Sequence, residues 1–537
     1  MRFQNLLKYI PMAVLAGTLS SCDNDFGDMN TDKLNPTNPM PDQLFTSGLY
    51  YFGDGSARQW FGDHYRYLMP WFQYAVPNSG NQFTMFDVNQ EWTANNRIYQ
   101  HYVRTGPNFV ATIDAIDNMP EADRNRRQYM KAMARTMIIF HATGLGDTFG
   151  DVPFTEAMTG REDNPVFTPK YDKLEELYPL WLSELKTLKD NLNADHGEEQ
   201  ISFGKADVIY NGDVDNWKKF INSIRLRLAT RLLKVDEAKA REVITEVLAD
   251  ADGVISTNED NFRLNYGDKG GPSRDGFQSL RATAPFIDFL SETNDPRLKI
   301  YFTENDYSEE NCEKLKLTYN PDRYVGGPVS PDDAEDSRFF IRRTLDGNDV
   351  DTLSYLNPHL FHPTWNGATG KMAEVFLSAA EVSFIRAELA KRGITGENAQ
   401  DLYEQGIRQS ITMYDVILKD LQDPKYKGTQ TADIDAYLEN PTVKYNDAKG
   451  LEQIMTQAYI HFLKDPHQTW VNWRRTGLPN ADTDMGFDPF VIKASQKELP
   501  RRFAYWDETP ENQPIQRAAI ERQDYGDGYY GRLWWDK

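Results

Sequence analysis

The sequence predicts a mainly α-helical fold, and three observations carry that reading. Apolar residues recur at three- and four-residue steps over several long windows, and no window shows strong alternation with period two. The clearest window is 214–234, where Trp217, Phe220, Ile224, Leu228 and Leu232 form one stripe. In 373–392, Val375, Val382, Ile385 and Leu389 form a bulky stripe, and Ala380, Ser383, Ala387 and Ala390 form a second stripe of small side chains. Small residues at that spacing let a neighbouring helix approach closely.

In chain order, Arg2 and Lys8 precede an apolar run from Ile10 to Leu19, and Leu19-Ser20-Ser21-Cys22 follows. A basic start, a short apolar stretch and small residues before a cut site mark a secretory signal over 1–21. The run is about half the ~20 residues that a spanning helix needs, and Pro11 interrupts it. Leu-Ser-Ser-Cys matches a bacterial lipobox, so Cys22 is the expected lipid attachment site and 22–41 a polar tether. That places the body outside the cytoplasm, held to the membrane through its N-terminal lipid only. The body, 42–537, reads as one helical domain.

Its first part, to about residue 100, is dense in aromatics interleaved with Asn, Gln and Gly. Helices are predicted over 91–118 and 121–143, with Gly144-Leu145-Gly146-Asp147 ending the second and a loop over 145–158. Further helices are predicted at 171–193, 214–234 and 236–250. Residues 251–372 are rich in Asp, Asn, Gly and Pro and read as a loop-rich insertion with few strands and a short helix near 284–291. Helical order returns at 373–392, which Gly393 stops, and continues at 397–419 and 449–463. The chain finishes in aromatic loops.

Composition narrows the function. The net charge of −22 and the lack of Lys/Arg runs argue against nucleic acid as a partner. There are only two cysteines, so with Cys22 acylated Cys312 has no disulfide partner. No G-x-S-x-G, H-E-x-x-H or phosphate-binding loop occurs, and Gly144, Gly146 and Gly150 are one residue too long for a dinucleotide fingerprint. His359 and His362 form an H-x-x-H with no acid between them. The acidic loops 331–336 and 346–351 miss EF-hand spacing and read as solvated. Neither a metal nor a cofactor is expected.

Glycosidases need two carboxyl groups about 5–5.5 or 6.5–9.5 Å apart. Glu374, Glu381 and Glu388, seven apart on one predicted helix, are separated by about 10.5 Å of rise. They are expected to be a polar stripe balanced by Arg386 or water. What remains is the pairing of aromatic faces with amides, which suits neutral polar ligands such as sugars or peptides. On that ground Trp71, Tyr74, Asn78 and Trp365 are the candidate ligand contacts.

Several motifs in order resemble one family nearly end to end. They are Asn30-Thr31-Asp32 through Asn35-Pro36 after Cys22, Gly146-Asp147 through Gly150-Asp151-Val152-Pro153, and Tyr210 through Asp213 with Trp217. Ser378-Ala379-Ala380-Glu381 through Phe384-Ile385-Arg386-Ala387-Glu388, Trp470 through Gly477, and Pro500-Arg501-Arg502-Phe503 complete the set. The chain resembles the SusD/RagB nutrient-binding outer-membrane lipoproteins, in their SusD-like type two branch. His467 departs from the acidic or small residue expected before the WRRTG-like run.

The resemblance implies tetratricopeptide-like helix pairs in a superhelical scaffold, with the long loop-rich insertions building the ligand face. It implies a SusC-like TonB-dependent β-barrel transporter as partner, to which an oligosaccharide or peptide captured at the cell surface is passed without catalysis. A lipid-anchored surface glycoside hydrolase is the alternative.

Overall fold

Helix α1 (Pro41–Tyr51) opens the part of the chain that the computed structural model describes: residues 40–53, 64, 67–77, 100–265, 280–329, 342–361, 373–420, 427–486, 499–523 and 528–537. Pro41 sits in the first turn, where its missing N–H costs nothing, and Phe45 stacks on Phe203 at 4.0 Å. After strand β1 (Ala75–Pro77), a π-helical turn at Gln100–Thr105 leads into α2 (Gly106–Asp117). The helix predicted over 91–118 is therefore irregular at 100–105, and its first residues, 91–99, lie outside the described part.

Helix α3 (Gln128–Phe149) does not stop at Gly144–Asp147 as expected. At Gly146 the missing side chain serves packing: a Cβ there would lie 2.8 Å from Leu174 Cδ1. The stop is Gly150, at φ +99°, whose N–H donates to Gly146 O at 3.0 Å. Few side chains adopt that angle, and a Cβ there would also fall 2.2 Å from Gln523 Oε1.

Helices α4 (Leu174–Asn191), α5 (Val214–Leu232) and α6 (Glu237–Ala249) follow where predicted. Asp213 caps α5, accepting from the N–H groups of Asp215 and Asn216. The apolar stripe of α5 is buried throughout, and so are Arg225, Arg227 and Arg231 on its other faces. It is the central helix, packed against α3, α4, α6 and, later in the chain, α8.

The insertion contributes β2 (Phe262–Asn265), β3 (Leu280–Ala282), α7 (Ala284–Glu292), β4 (Arg342–Leu345) and β5 (Asn348–Asp351). As predicted, regular structure is sparse there. Among the described residues the strands form three antiparallel pairs, β1–β3, β2–β6 and β4–β5.

The pairing of β2 with β6 (Ala373–Leu377) corrects the predicted helix over 373–392. Ser378 accepts from the Glu381 N–H at 3.1 Å, so α8 (Ala379–Lys391) begins only after it. Residues 373–377 carry apolar side chains that a strand buries as well as a helix would, and periodicity over five residues does not separate the two. Gly393, at φ +67°, ends α8 as expected.

Helix α9 (Ala399–Asp420) packs back on α8. Then come α10 (Thr431–Leu438), α11 (Gly450–His461), α12 (Pro466–Thr476) and α13 (Gln513–Glu521). Of these, α12 carries the WRRTG-like run, and it and α13 replace part of the expected loops.

The two stripes of α8 face two cores. Val382, Ile385 and Leu389 join a continuous apolar cluster that reaches from Phe45 to Trp535. Ala380 and Ala387, with Phe384, join a second cluster with Tyr403, Ile407, Ile454 and Ala458 of α9 and α11. The result is the tetratricopeptide-like succession of packed helix pairs that the family resemblance implies.

Candidate functional site

Catalysis would first be sought at Glu374, Glu381 and Glu388. All three are buried, and each faces a cation. Glu374 lies on β6 with Lys464 Nζ at 3.4 Å. Glu381 accepts two bonds from Arg227, each at 2.6 Å, across the α5–α8 interface. Glu388 accepts from both Arg475, at 2.5 and 2.6 Å, and Arg392, at 2.8 Å. Burial pushes the Glu388 carboxyl up, but the two guanidinium groups outweigh it and hold the pKa below the ordinary range. Arg386, the expected partner, pairs instead with Glu397. Glu381 borders a void of about 30 Å³, too small for a sugar. Such bidentate pairs join helices.

Two candidate ligand contacts belong to the core. Trp71 closes the helical turn Met69–Trp71, has no exposed surface, and lies against Phe503 at 5.7 Å and Trp470 at 6.1 Å. Tyr74 is also fully buried. It stacks on Tyr459 at 4.4 Å and donates to Tyr459 O at 2.6 Å, with Thr469 Oγ1 at 2.7 Å. Burial raises its hydroxyl pKa well above the ordinary value. The aromatic-plus-amide pattern that nominated them is equally the pattern of a polar-tipped core packed under α11 and α12. Asn78, Trp365 and Cys22 lie outside the described residues, as does His362. His467 has a structural partner, Thr148 Oγ1 at 3.0 Å, and lies edge-on to Trp470.

The insertion holds a cleft with the predicted ligand chemistry. It encloses about 310 Å³ between Asn305, Tyr307, Leu317, Thr318, Asn320 and Thr352. Tyr319, between two lining residues in the chain, is 39% exposed.

The wall rests on a small apolar cluster of Tyr307, Cys312 and Val350, separate from the main core. Cys312 is a free, buried thiol. Asparagine side chains shape the turns, Asn305 accepting from the Tyr307 N–H at 3.2 Å and Asn320 from the Asp322 N–H at 3.0 Å. Behind the wall Arg281 lies 3.7 Å over the Tyr355 ring and donates to Asp351 at 2.7 Å. Tyr355 donates to Asp306 Oδ2 at 3.1 Å, and the Asp351 N–H donates to the same oxygen at 2.9 Å. Burial is the main cause of the raised pKa of Asp306.

A largely apolar wall with the Tyr307 ring among its lining residues can cover the C–H face of a sugar. Sequence reasoning missed Tyr307, Tyr319 and Asn320. The signal was present in Leu317-Thr318-Tyr319-Asn320-Pro321-Asp322, an aromatic beside an amide at a proline turn. Among the described residues no group of three His, Cys, Asp or Glu side chains is placed to hold a metal ion. No described helix is long and apolar enough to cross a membrane.

Comparison with known proteins places this geometry. The family model SusD-like_2, described as starch-binding and associating with the outer membrane, matches residues 33–506. No curated protein sequence matches the chain. Among solved structures, a chitin-binding protein superposes with a TM-score of 0.71 at 25% identity, covering 92% of this chain and 99% of its own. A SusD homologue from Bacteroides fragilis gives 0.68 at 19% identity, covering 93% and 100%. A chitin-binding SusD homologue from Flavobacterium johnsoniae gives 0.62 at 22% identity, covering 92% and 96%. The last two are similar in fold.

Proposed function

Because the chain belongs to the SusD-like family of starch-binding proteins that associate with the outer membrane, we propose that it is a non-catalytic surface receptor for an oligosaccharide. Cys22 is its lipid attachment point, the body faces the cell exterior, and the captured ligand is delivered to a SusC-like TonB-dependent β-barrel transporter. The observation that supports the ligand class is the insertion cleft, where Tyr307, Asn305 and Asn320 line about 310 Å³ and the exposed Tyr319 stands between two lining residues in the chain. Asn78 and Trp365 remain candidate contacts on the same aromatic-and-amide grounds.

Affinity electrophoresis in gels containing soluble starch or a chitin derivative tests the reading. The full-length soluble body is expected to be retarded by at least one glycan, and Tyr319→Ala to run free at an unchanged thermal midpoint. Release of reducing ends from either glycan would favour the hydrolase, and retardation that survives Tyr319→Ala would move the site away from this cleft. Cells fed radiolabelled palmitate should label the chain, and Cys22→Ser should abolish the label.

A further inference from the structure

A second cleft, sharing no lining residue with the first, opens where the end of α3 and the start of α4 meet α13 and residues 528–537. It encloses about 250 Å³. In a chain of net charge −22 its lining is unusual: Lys173, Arg522, Arg532 and Lys537 against Asp151 and Glu175, with Trp534 also in the lining.

One acid, Asp151, is already engaged. Asp151 accepts from the Leu174 N–H at 2.8 Å through one oxygen and from Arg522 Nε at 2.6 Å through the other. Arg522 is further fixed by its bond to Tyr171 O at 2.6 Å. Glu175 has only a 3.4 Å contact, to Lys173, and Lys173 lies 3.7 Å from Glu176 as well.

Arg532 is held loosely. Its contacts to Asp536 are 3.3 and 3.4 Å long, and Asp536 is claimed more closely by Arg501, which donates to both its oxygens at 2.7 Å. The Arg532 and Lys173 side chains are 43% and 48% exposed. Trp534 is half-buried, braced by the Tyr178 ring at 6.0 Å. A loosely held guanidinium and an ammonium beside a braced aromatic face are the parts needed to grip an anionic group attached to a flat or ring-shaped body.

We propose that this cleft is a second binding site, for an acidic saccharide. The carboxylate is held by Arg532 and Lys173, and the pyranose ring lies on Trp534. The site is independent of the insertion cleft, and the two can fail separately.

The test is calorimetry on the full-length soluble body with trigalacturonate, and with maltotriose and inorganic phosphate as comparators. Trigalacturonate is expected to bind and to weaken as salt rises. Arg532→Gln should weaken it about tenfold or more, as loss of a charged hydrogen bond does. Trp534→Ala should also weaken it, and Trp534→Phe, which keeps a ring against Tyr178, should recover part of the loss if the base fold is intact. Tyr319→Ala should leave it unchanged. Phosphate binding as tightly as trigalacturonate would reduce the cleft to a plain anion site and overturn the proposal. So would equal binding by maltotriose, no binding of trigalacturonate, or binding indifferent to Arg532→Gln.

Discussion

In the helical scaffold, side chains far apart in sequence meet as buried ion pairs: Arg227 with Glu381, Arg475 with Glu388, and Arg231 with Asp147. Around the insertion cleft, Asn305 and Asn320 also shape their own turns, accepting from the Tyr307 and Asp322 N–H groups, and one buried ion pair, Arg281 with Asp351, lies nearby. The two regions differ most in apolar support. The scaffold shares one cluster from α1 to the last residues, whereas the cleft wall rests on Tyr307, Cys312 and Val350. Long-range buried charges make the scaffold cooperative, because removing one partner strands the other in a dry interior. Local turns over a small cluster allow the cleft to vary in sequence without disturbing the helices.

The largest expected effect lies in the scaffold. Glu388→Ala leaves Arg475 buried and uncompensated, and should cost about 3–5 kcal/mol in urea denaturation. A loss under 1 kcal/mol would mean that the α8–α12 pair is not what ties these helices.

Tyr74→Phe should cost less, about 1 kcal/mol, because the Tyr459 carbonyl loses one donor and keeps the Phe462 N–H. Glycan retention should not change. Weakened retention at unchanged stability would return Tyr74 to the ligand face.

Acid should act on the two regions in opposite directions. The folded-state pKa of Glu388 is depressed, so the unfolded chain binds its proton first. The stabilisation from this group is complete above the unfolded value and is lost as pH falls through the folded one. Asp306 has a raised folded-state pKa, so the folded cleft takes up its proton first and is relieved as pH falls through that raised value. Hydrogen exchange followed from pH 7 to pH 3 should show α8 losing protection and residues near 306 and 351 gaining it. Glu388→Gln and Asp306→Asn should each flatten only its own trend.

The smallest effect on stability is expected at Tyr319→Ala, within about 0.5 kcal/mol as for other exposed positions. A larger loss would tie the cleft rim to the scaffold and erase the contrast between the two regions.

Much of the scaffold was legible in the sequence. The stripe of α5 and the stop at Gly393 are local patterns that hold within a residue or two, and the double stripe of α8 holds from Ala379 onward. Gly150 was less legible than Gly144 and Gly146, because all three look alike in sequence and only neighbours decide which one ends the helix. Half-legible too was β6, whose apolar run suits a strand only because β2 lies beside it. The candidate site was the least legible. The rule that pairs aromatics with amides selected Trp71 and Tyr74, which are buried, and passed over Tyr307 and Tyr319.

By itself the sequence determined the helical class, the order and approximate bounds of the main helices, the sparse structure of the insertion and the family resemblance. The helices follow from spacing along the chain, which a helix reads directly through its 3.6-residue turn, and the resemblance follows from ordered motifs. Only the tertiary structure decided that Glu381 belongs to Arg227, 154 residues away, that Glu388 belongs to Arg475, 87 residues away, and which rings face solvent. A side chain's burial and charge balance depend on what packs opposite it. That neighbour comes from a distant segment whose approach no local period encodes.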